Sequence, residues 1–86
     1  MMFSEMKIHV QFFAQLRDAA GTSDMDVELS VGSSAGDLLN AVYERVPTLR
    51  KWDESMLLGV GVEFVGREYI LQPNETIALM PPVQGG

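Results

Sequence analysis

Apolar and polar residues alternate along two stretches near the start of the chain, residues 6–13 and 24–31. Strict alternation turns one set of side chains toward a core and the other toward solvent, so each stretch predicts a half-buried strand. In the first strand Lys7, His9 and Gln11 should face outward. In the second strand four apolar side chains should face inward: Met25, Val27, Leu29 and Val31.

Two helices are predicted around the second strand. Residues 14–20 have a helix-forming composition and are followed by Gly21, which predicts a short helix of about two turns. A helix of that length cannot carry a parallel crossover, so the first two strands should be antiparallel neighbours. A capping box of Ser34 and Asp37 predicts the start of a longer helix, which Pro47 ends. Its apolar face, which should pack on a sheet, consists of Leu38, Leu39, Val42 and Val46.

The middle of the chain predicts a connector and then a strand. Residues 48–56 should form a connector with one more helical turn, in which Trp52 covers the edge of the core. Residues 57–65 are apolar and β-branched and predict a single strand. Gly59 and Gly61 within it should mark bulges or close approaches of the backbone.

Two turns divide the next residues into a short strand and a last strand. Residues 66–68 are predicted as the first turn, 69–71 as the short strand and 73–75 as the second turn. Asn74 suits a left-handed position in that second turn. Residues 76–80 are predicted as the last strand. Its inward side chains should be Ile77 and Leu79.

This order of elements predicts an α+β roll, with a mixed sheet and one main helix packed across it. Placing the last strand beside the first, in parallel, would seat it in the middle of the sheet. We predict one domain over residues 1–80 and an extended C-terminal tail over residues 81–86.

Length and composition restrict the classes of function. Eighty-six residues leave little room for an internal catalytic cavity, so any chemistry should lie at the surface, at an end or in a complex. A formal charge of −6 without a basic stripe argues against nucleic-acid binding. The absence of cysteine excludes disulfides, thiolate zinc sites and cysteine nucleophiles. No secretory signal or membrane-spanning run is recognisable, which predicts a soluble cytoplasmic protein.

The last strand is followed by Pro81-Pro82-Val83-Gln84-Gly85-Gly86. The two prolines favour extended geometry, and a tail of this length reaches roughly 20 Å. Gly85 and Gly86 have no side chains, so they fit a channel too narrow for other residues. A terminal carboxylate can attack the α-phosphate of ATP, and the resulting acyl-adenylate is open to a sulfur nucleophile. The pattern therefore predicts a tail that is activated chemically; the alternative is an ordinary frayed terminus.

Two segments resemble one known family. The run Val10-Gln11-Phe12-Phe13-Ala14-Gln15-Leu16-Arg17, with Gly21 after it, resembles the opening strand and helix of the molybdopterin synthase small subunit family. The Pro-Pro-Val and Gly-Gly of residues 81–86 resemble the ending of that family. The resemblance covers residues 6–86 and implies the ubiquitin-like β-grasp fold. Two departures are Gly61, where the family usually has Asn, and Asn74-Glu75, where Gly-Asp is common.

The resemblance implies that the chain is the sulfur-carrier subunit of molybdopterin synthase, a heterotetramer that also contains a large subunit. Gly86 would be adenylated by an ATP-using activating enzyme and converted to a thiocarboxylate. The loaded tail would enter the active site of the large subunit, where sulfur passes to cyclic pyranopterin monophosphate in molybdenum cofactor biosynthesis. The chain itself would bind no cofactor and no metal, and the large subunit would supply the catalytic side chains. The residues that insert into partners would be Pro81, Pro82, Val83, Gln84 and Gly85.

Other residues suggest surface roles. Phe13, Phe64 and Met80 lie near strand ends and form a candidate docking surface beside the tail, with ordinary edge packing as the alternative. His9 is the only histidine and should be solvated or in an interface, because no carboxylate partner is evident. Acidic residues that recur at every second position of the second strand favour a solvated face over a metal site. They are Asp24, Asp26 and Glu28.

The residues alone leave other functions open. The chain could be a sulfur carrier for thiamine or tRNA thiolation, although those relatives generally lack the Pro-Pro-Val run and the Phe-Phe-Ala opening. It could be a ubiquitin-like modifier that is joined to lysines by an isopeptide bond. It could also be a binding-only β-grasp module with an inert tail.

Overall fold

The computed structural model describes residues 4–82, and five strands, two α helices and one 3₁₀ helix lie within this range. In chain order they are β1 (Glu5–Phe12), α1 (Gln15–Ala20), β2 (Asp24–Ser30), α2 (Ala35–Arg45), the 3₁₀ helix (Pro47–Ser55), β3 (Leu57–Val60), β4 (Glu63–Val65) and β5 (Thr76–Met80). None of the helices in this part of the chain is long and apolar enough to cross a membrane.

The strands form one mixed sheet in the order β2-β1-β5-β3-β4. β1 pairs with β2 in antiparallel register, which sets His9 opposite Asp26. β1 also pairs with β5, in parallel, and Val10 lies opposite Ile77. β3 is antiparallel to both β5 and β4. Two predictions are therefore confirmed: the first two strands are antiparallel neighbours, and the last strand lies beside the first in the middle of the sheet.

The core lies between one face of the sheet and α2. Ile8 and Val10 on β1, and Ile77 and Leu79 on β5, have no solvent exposure, as their alternation predicts. From α2 the buried side chains are Ala35, Leu38, Leu39, Val42 and Tyr43. Burying one large apolar side chain contributes about 1.5–3 kcal/mol, so these contacts hold α2 across the sheet more firmly than its helix propensity does. The predicted α+β architecture with one main helix is confirmed.

The start of α2 is fixed by the predicted capping box. Ser34 Oγ accepts a hydrogen bond from Asp37 N at 3.2 Å, and Asp37 Oδ2 accepts one from Ser34 N at 3.0 Å. These bonds satisfy backbone donors that have no partner inside the helix, and the carboxylate lies at the positive end of the helix dipole. α2 ends at Arg45, two residues before Pro47.

The connector after α2 is more helical than predicted. Residues Pro47–Ser55 form a continuous 3₁₀ helix instead of one extra turn. Its Leu49 side chain is fully buried in the core, which ties the connector to the rest of the domain. Trp52 packs against the edge of the core, as predicted.

Residues 57–65 form a hairpin, so the prediction of a single strand is wrong. Val60 on β3 lies opposite Glu63 on β4, which leaves Gly61 and Val62 as a two-residue turn. Gly61 has a φ of 62°. This left-handed region costs other L-residues roughly 1–2 kcal/mol, so the glycine marks a reversal of the chain and not a bulge.

Residues 69–71 form no strand, which corrects a second prediction. Ile70 makes only an isolated bridge, to Ser34. The neighbouring backbone groups bond to the start of α2 instead, and Leu71 N donates to Ser33 O at 2.9 Å. The turn that follows is confirmed, because Asn74 has the expected positive φ, 65°.

The predicted inward position of Val31 is also wrong. Val31 follows the last residue of β2 and is 53% exposed in the turn that contains Gly32. β2 is an edge strand, so α2 covers it only in part. Val27 is buried there, whereas Met25 and Leu29 are half-buried.

Candidate functional site

One face of the sheet points away from α2, and we call it the open face. Residues from all five strands follow one another across it in a single row. From one edge to the other the row is Asp24, Gln11, Ala78, Gly59 and Phe64. Neighbouring strands lie about 4.8 Å apart, so the row spans roughly 19 Å. Its acidic end and its aromatic end therefore lie on opposite edges of the sheet.

The part of the open face over β5, β3 and β4 forms a shallow apolar groove of about 280 Å³. Ala78 and Gly59 provide its floor, because they are the smallest residues of the row and lie on adjacent strands. Phe13 and Phe64 remain 43% and 69% exposed on its two sides. The full lining consists of Gln11, Phe13, Gly59, Gly61, Val62, Glu63, Phe64, Ala78 and Met80. The three residues of the candidate docking surface are thus brought together.

Gly59 keeps the floor of the groove low. A Cβ atom at this position would lie 3.0 Å from Met80 Cε, a distance at which the methionine would have to move. A methyl group at residue 59 therefore requires Met80 to shift, and the flexible end of the methionine side chain makes such a shift possible. The depth of the groove therefore depends on the absence of a side chain at residue 59.

Phe13 reaches the open face because of the way the chain leaves β1. Phe12 is buried as the last residue of the strand, and Phe13 N donates a hydrogen bond to Leu79 O at 3.1 Å. Ala14 then adopts a φ of 55° and a ψ of −133° before α1 begins. Such a conformation costs a residue with a side chain about 1–3 kcal/mol and persists only where the surroundings enforce it. The strained residue keeps Phe13 beside the end of β5.

The other part of the open face, over β1 and β2, carries charged residues. His9 Nδ1 lies 2.7 Å from Asp26 Oδ1, and His9 Nε2 lies 3.2 Å from Asp24 Oδ2. The expectation that His9 has no carboxylate partner is therefore wrong. The partners lie 15 and 17 residues away along the chain, and only the β1–β2 register brings them together.

The two hydrogen-bonded groups change each other's ionisation. The hydrogen bond that His9 donates to Asp26, with smaller contributions from the charges of Asp24 and Asp26, raises the pKa of His9 above its usual value. The same hydrogen bond lowers the pKa of Asp26. Asp24, Asp26 and Glu28 lie exposed, as the alternation predicts. Within residues 4–82 no three acidic or histidine side chains are grouped so that they could hold a metal ion.

A polar network on the other side of the domain was not evident in the sequence. Tyr43 OH donates a hydrogen bond to Asp53 Oδ1 at 2.7 Å, and Arg67 Nη1 lies 3.0 Å from the same oxygen. Burial, followed by the bond to Asp53, raises the pKa of the Tyr43 phenol. The burial of Tyr43 could have been predicted from the sequence. The residue lies four positions after Leu39 and therefore on the same apolar face of α2. The network joins α2, the 3₁₀ helix and the turn after β4.

The sequence pattern of the ThiS family matches residues 10–86. This chain belongs to the ThiS family. The match begins within β1 and includes the whole hairpin and β5, so the row from Asp24 to Phe64 across the open face lies within the family match.

This ThiS family chain is similar in sequence to two curated proteins over most of their length. It is 26% identical over 83 residues to the molybdopterin synthase sulfur carrier subunit of Arabidopsis thaliana, covering 96% of this chain and 86% of that protein. It is 29% identical over 83 residues to the subunit of the same name from Chlamydomonas reinhardtii, covering 94% and 100%. The resemblance stated from the sequence is confirmed by these matches.

Solved structures confirm the ubiquitin-like β-grasp fold of this family member. Small archaeal modifier protein 1 from Haloferax volcanii superposes with a TM-score of 0.83 at 24% identity, over 93% of this chain and 99% of that one. The protein of the same name from Methanosarcina acetivorans gives 0.78 at 27% identity, over 96% and 99%. Ubiquitin from Caldiarchaeum subterraneum gives 0.65 at 15% identity, over 96% and 100%.

The predicted tail of this ThiS family chain follows β5. Met80 is the last residue of the strand, and Pro81 and Pro82 after it are half-buried. The other predicted tail residues, Val83, Gln84, Gly85 and Gly86, lie outside the described residues, so their predicted roles stay predictions. Pro81 and Pro82 thus follow directly on the central strand, whose last residue, Met80, lines the groove.

Proposed function

We propose that this chain is the sulfur carrier subunit of molybdopterin synthase and that it delivers sulfur as a thiocarboxylate on Gly86. The observation that carries the proposal is the similarity, over nearly the full length of both chains, to two subunits of that name. The match of the ThiS family through residue 86 supports the same assignment. In this proposal the chain works in the cytoplasm, in a heterotetramer with a large subunit.

The proposed chemistry takes place at one carboxyl group. A carboxylate oxygen of Gly86 attacks the α-phosphorus of ATP, which releases pyrophosphate and forms an acyl-adenylate. Hydrosulfide then displaces AMP, and the carbonyl carbon keeps the sulfur as a thiocarboxylate. Transfer of that sulfur to cyclic pyranopterin monophosphate, with water supplying the oxygen, returns the carboxylate. Two such deliveries provide the dithiolene of molybdopterin.

The proposal divides the work between three proteins. An ATP-dependent activating enzyme would adenylate and load Gly86, and the large subunit would supply the catalytic side chains for transfer. This chain would supply the reactive terminus and a rigid domain that presents it. Pro81 and Pro82 support that role, because two consecutive prolines stiffen the chain as it leaves β5.

Intact-mass analysis tests the proposal directly. The chain is incubated with the activating enzyme, ATP and a sulfur donor, and we expect a species in which one oxygen is replaced by sulfur. Reconstitution with the large subunit and cyclic pyranopterin monophosphate should then yield molybdopterin. Deletion of Gly86 should abolish both results, while Thr48→Ala, an exposed substitution in the 3₁₀ helix, should leave both intact. A chain that remains the unmodified acid under these conditions would exclude sulfur carriage.

A second candidate is a protein modifier, which would form an isopeptide bond between Gly86 and a lysine of another protein. The similarity to the modifier protein of Methanosarcina acetivorans favours it, at 27% identity and a TM-score of 0.78. Both candidates begin with adenylation, so the products distinguish them. Larger conjugates that disappear when Gly86 is deleted would show a modifier, whereas a thiocarboxylate without conjugates would show a carrier.

A further inference from the structure

β2 forms one edge of the sheet, so half of its backbone groups face no neighbouring strand. Phe12 N donates a hydrogen bond to Ser23 O and Val31 N donates one to Ser4 O, so the odd-numbered residues of this segment bond to β1. In an antiparallel pair the bonded positions alternate with positions whose backbone groups point the other way. The even-numbered residues of β2 therefore direct their backbone groups away from the sheet. They are Asp24, Asp26, Glu28 and Ser30.

The chain itself already bonds to part of this edge. Arg45 Nη1 donates a hydrogen bond to Asp26 O at 3.0 Å, and Ser33 N donates one to Ser30 O at 3.1 Å. Among the hydrogen bonds within residues 4–82, none uses the other outward backbone groups of residues 26–30. These groups are Asp26 N, Glu28 N, Glu28 O and Ser30 N.

These four groups match the hydrogen-bonding pattern of an antiparallel strand. Glu28 N and Glu28 O would exchange two hydrogen bonds with one residue of an added segment. Asp26 N and Ser30 N would each donate to a carbonyl two residues to either side of it. An exposed row of this kind can bind an extended segment of another protein as an extra strand.

The side chains of β2 determine which segment would fit. On the open face the strand presents three exposed carboxylates, and on the side of α2 it presents Met25 and Leu29, which are only half-buried. Side chains of an added strand alternate between the same two sides. Basic side chains would lie beside the carboxylates, and apolar side chains would cover Met25 and Leu29. The three carboxylates are Asp24, Asp26 and Glu28.

The cations already present reach these carboxylates from one side only. Lys7 lies opposite Glu28 in the register of β1 and β2, and His9 contacts Asp24 and Asp26. The other side of β2 carries no strand, because β2 is the edge. Basic residues of an added strand would therefore bring charge to the side of the carboxylates that the β1 cations do not occupy.

We propose that the free edge of β2 binds an extended segment of another protein in which basic and apolar residues alternate, and that this segment joins the sheet as a sixth strand. Sulfur carriage through Gly86 does not depend on this edge, so the inference is independent of the proposed function. β2 and the β4 side of the apolar groove lie at opposite edges of the sheet. The added strand would therefore leave the groove accessible.

A second copy of the chain is a poor occupant for this edge. Two β2 strands paired edge to edge would place three carboxylates of one copy beside three of the other, and like charges in such positions oppose pairing. Charged residues on edge strands commonly prevent proteins from pairing with themselves in this way. The same charges favour a basic strand.

Arg45 limits access to one end of the edge. Its guanidinium bonds to Asp26 O and lies 3.9 Å from Met25 Sδ. An added strand must displace this side chain before it can bond to Asp26 O or cover Met25. Removal of the side chain should therefore strengthen binding, although it removes no obstacle to the other four backbone groups.

NMR hydrogen exchange on the full ¹⁵N-labelled chain tests the proposal. The probe is the synthetic peptide acetyl-Lys-Val-Lys-Ile-Lys-Val-amide, and the control peptide, acetyl-Lys-Lys-Lys-Val-Ile-Val-amide, has the same composition without alternation. We expect the probe to slow exchange at Asp26, Glu28 and Ser30 by about fivefold when most of the chain is bound, because a bonded amide exchanges only from the free fraction. The control peptide should leave exchange at these three amides unchanged.

Two pairs of variants test the assigned side chains. Glu28→Gln should weaken binding of the probe roughly threefold at low salt, whereas Glu44→Gln, the same change at an exposed position of α2, should not. Arg45→Ala should strengthen binding about threefold because it frees Asp26 O. Arg17→Ala removes the same charge from α1 and should have no effect. The amide spectrum of each variant reports whether the domain is folded.

Three results would overturn the inference while leaving the proposed function intact. The first is unchanged exchange at the three amides with the probe, or equal slowing with the control peptide. The second is a β2 or Arg45 variant that binds the probe like its matched control. The third is protection of the same amides that grows with the concentration of the chain alone, because the occupant would then be a second copy.

Discussion

His9 Nδ1 lies 2.7 Å from Asp26 Oδ1, across the pairing of β1 with β2. The two residues face each other in the antiparallel register, and both side chains project from the open face. Their interaction joins the edge strand to the rest of the sheet at a position where α2 covers β2 only in part. Because this is the only histidine of the chain, its titration can be followed without ambiguity.

Replacing Asp26 by Asn should lower the pKa of His9 toward its ordinary value of 6.5, because the hydrogen bond to the carboxylate is the largest cause of the upward shift. The raised pKa means that the pair stabilises the fold fully below pH 6.5 and loses that contribution as the pH rises through the pKa of the folded state. The lowered pKa of Asp26 sets the acid limit of this range, because the contribution is present above its ordinary value of 3.8 and is lost as the pH falls through the lower pKa of the folded state.

An NMR titration of the His9 ring measures this effect. Glu28→Gln provides a matched control, because it removes an exposed carboxylate of the same strand that does not contact the imidazole. An unchanged His9 pKa in Asp26→Asn would show that the hydrogen bond is not formed in solution.

Tyr43→Phe should destabilise the domain by about 1 kcal/mol, because it removes the hydrogen bond to Asp53 and leaves the buried ring in place. The urea midpoint reports this change. Tyr43→Phe should have no further effect in an Asp53→Ala background, where its acceptor is already absent. Equal costs in both backgrounds would mean that the hydroxyl acts through some other contact.

Leu49→Ala should destabilise the domain by about 2–5 kcal/mol, since the side chain is fully buried and its removal leaves a cavity under the 3₁₀ helix. The neighbouring exposed substitution Thr48→Ala should change stability by no more than about 0.5 kcal/mol. Thermal and urea unfolding of both variants provide the comparison. A cost for Leu49→Ala as small as that of its neighbour would show that the 3₁₀ helix is not anchored in the core.

Gly61→Val should destabilise the hairpin by roughly 1–2 kcal/mol, because φ is 62° and a β-branched residue is strained there. No atom lies within 4 Å of a Cβ placed at this residue, so the cost would come from the backbone and not from a clash. Gly61→Asn should cost less, since Asn tolerates turn positions with positive φ. Equal losses for the two variants, measured in urea, would contradict this explanation.

The parts of the fold that were predictable from sequence depend on local pattern. Alternation in residues 6–13 identified β1, and the reciprocal capping of Ser34 and Asp37 identified the start of α2. Asn74 identified its own turn, because few other residues adopt a positive φ. In each case the residues from which the element was predicted are the same residues whose side chains or backbone angles form it.

The errors arose where distant residues decide the outcome. The hairpin at Gly61 was missed because the apolar run continues on both sides of the turn and hides the reversal. Ile70 resembles a strand residue, but the start of α2 takes the neighbouring backbone groups, and this contact spans more than thirty residues of sequence. The same distinction holds for the candidate site. Phe13, Phe64 and Met80 could each be predicted from the sequence as surface residues near strand ends. The carboxylate partners of His9 could not, because they depend on the register between β1 and β2.

The central position of β5 has a mechanical consequence. β5 is bonded on one side to β1 and on the other to β3, and the chain continues from its end through Pro81 and Pro82. Tension applied along the strand from that end would load the hydrogen bonds on both sides in shear, so many would have to break together. An edge strand under the same pull would be held by the hydrogen bonds of one side only. We therefore expect the domain to remain folded under a force on its C-terminal end that would detach a strand held on one side only.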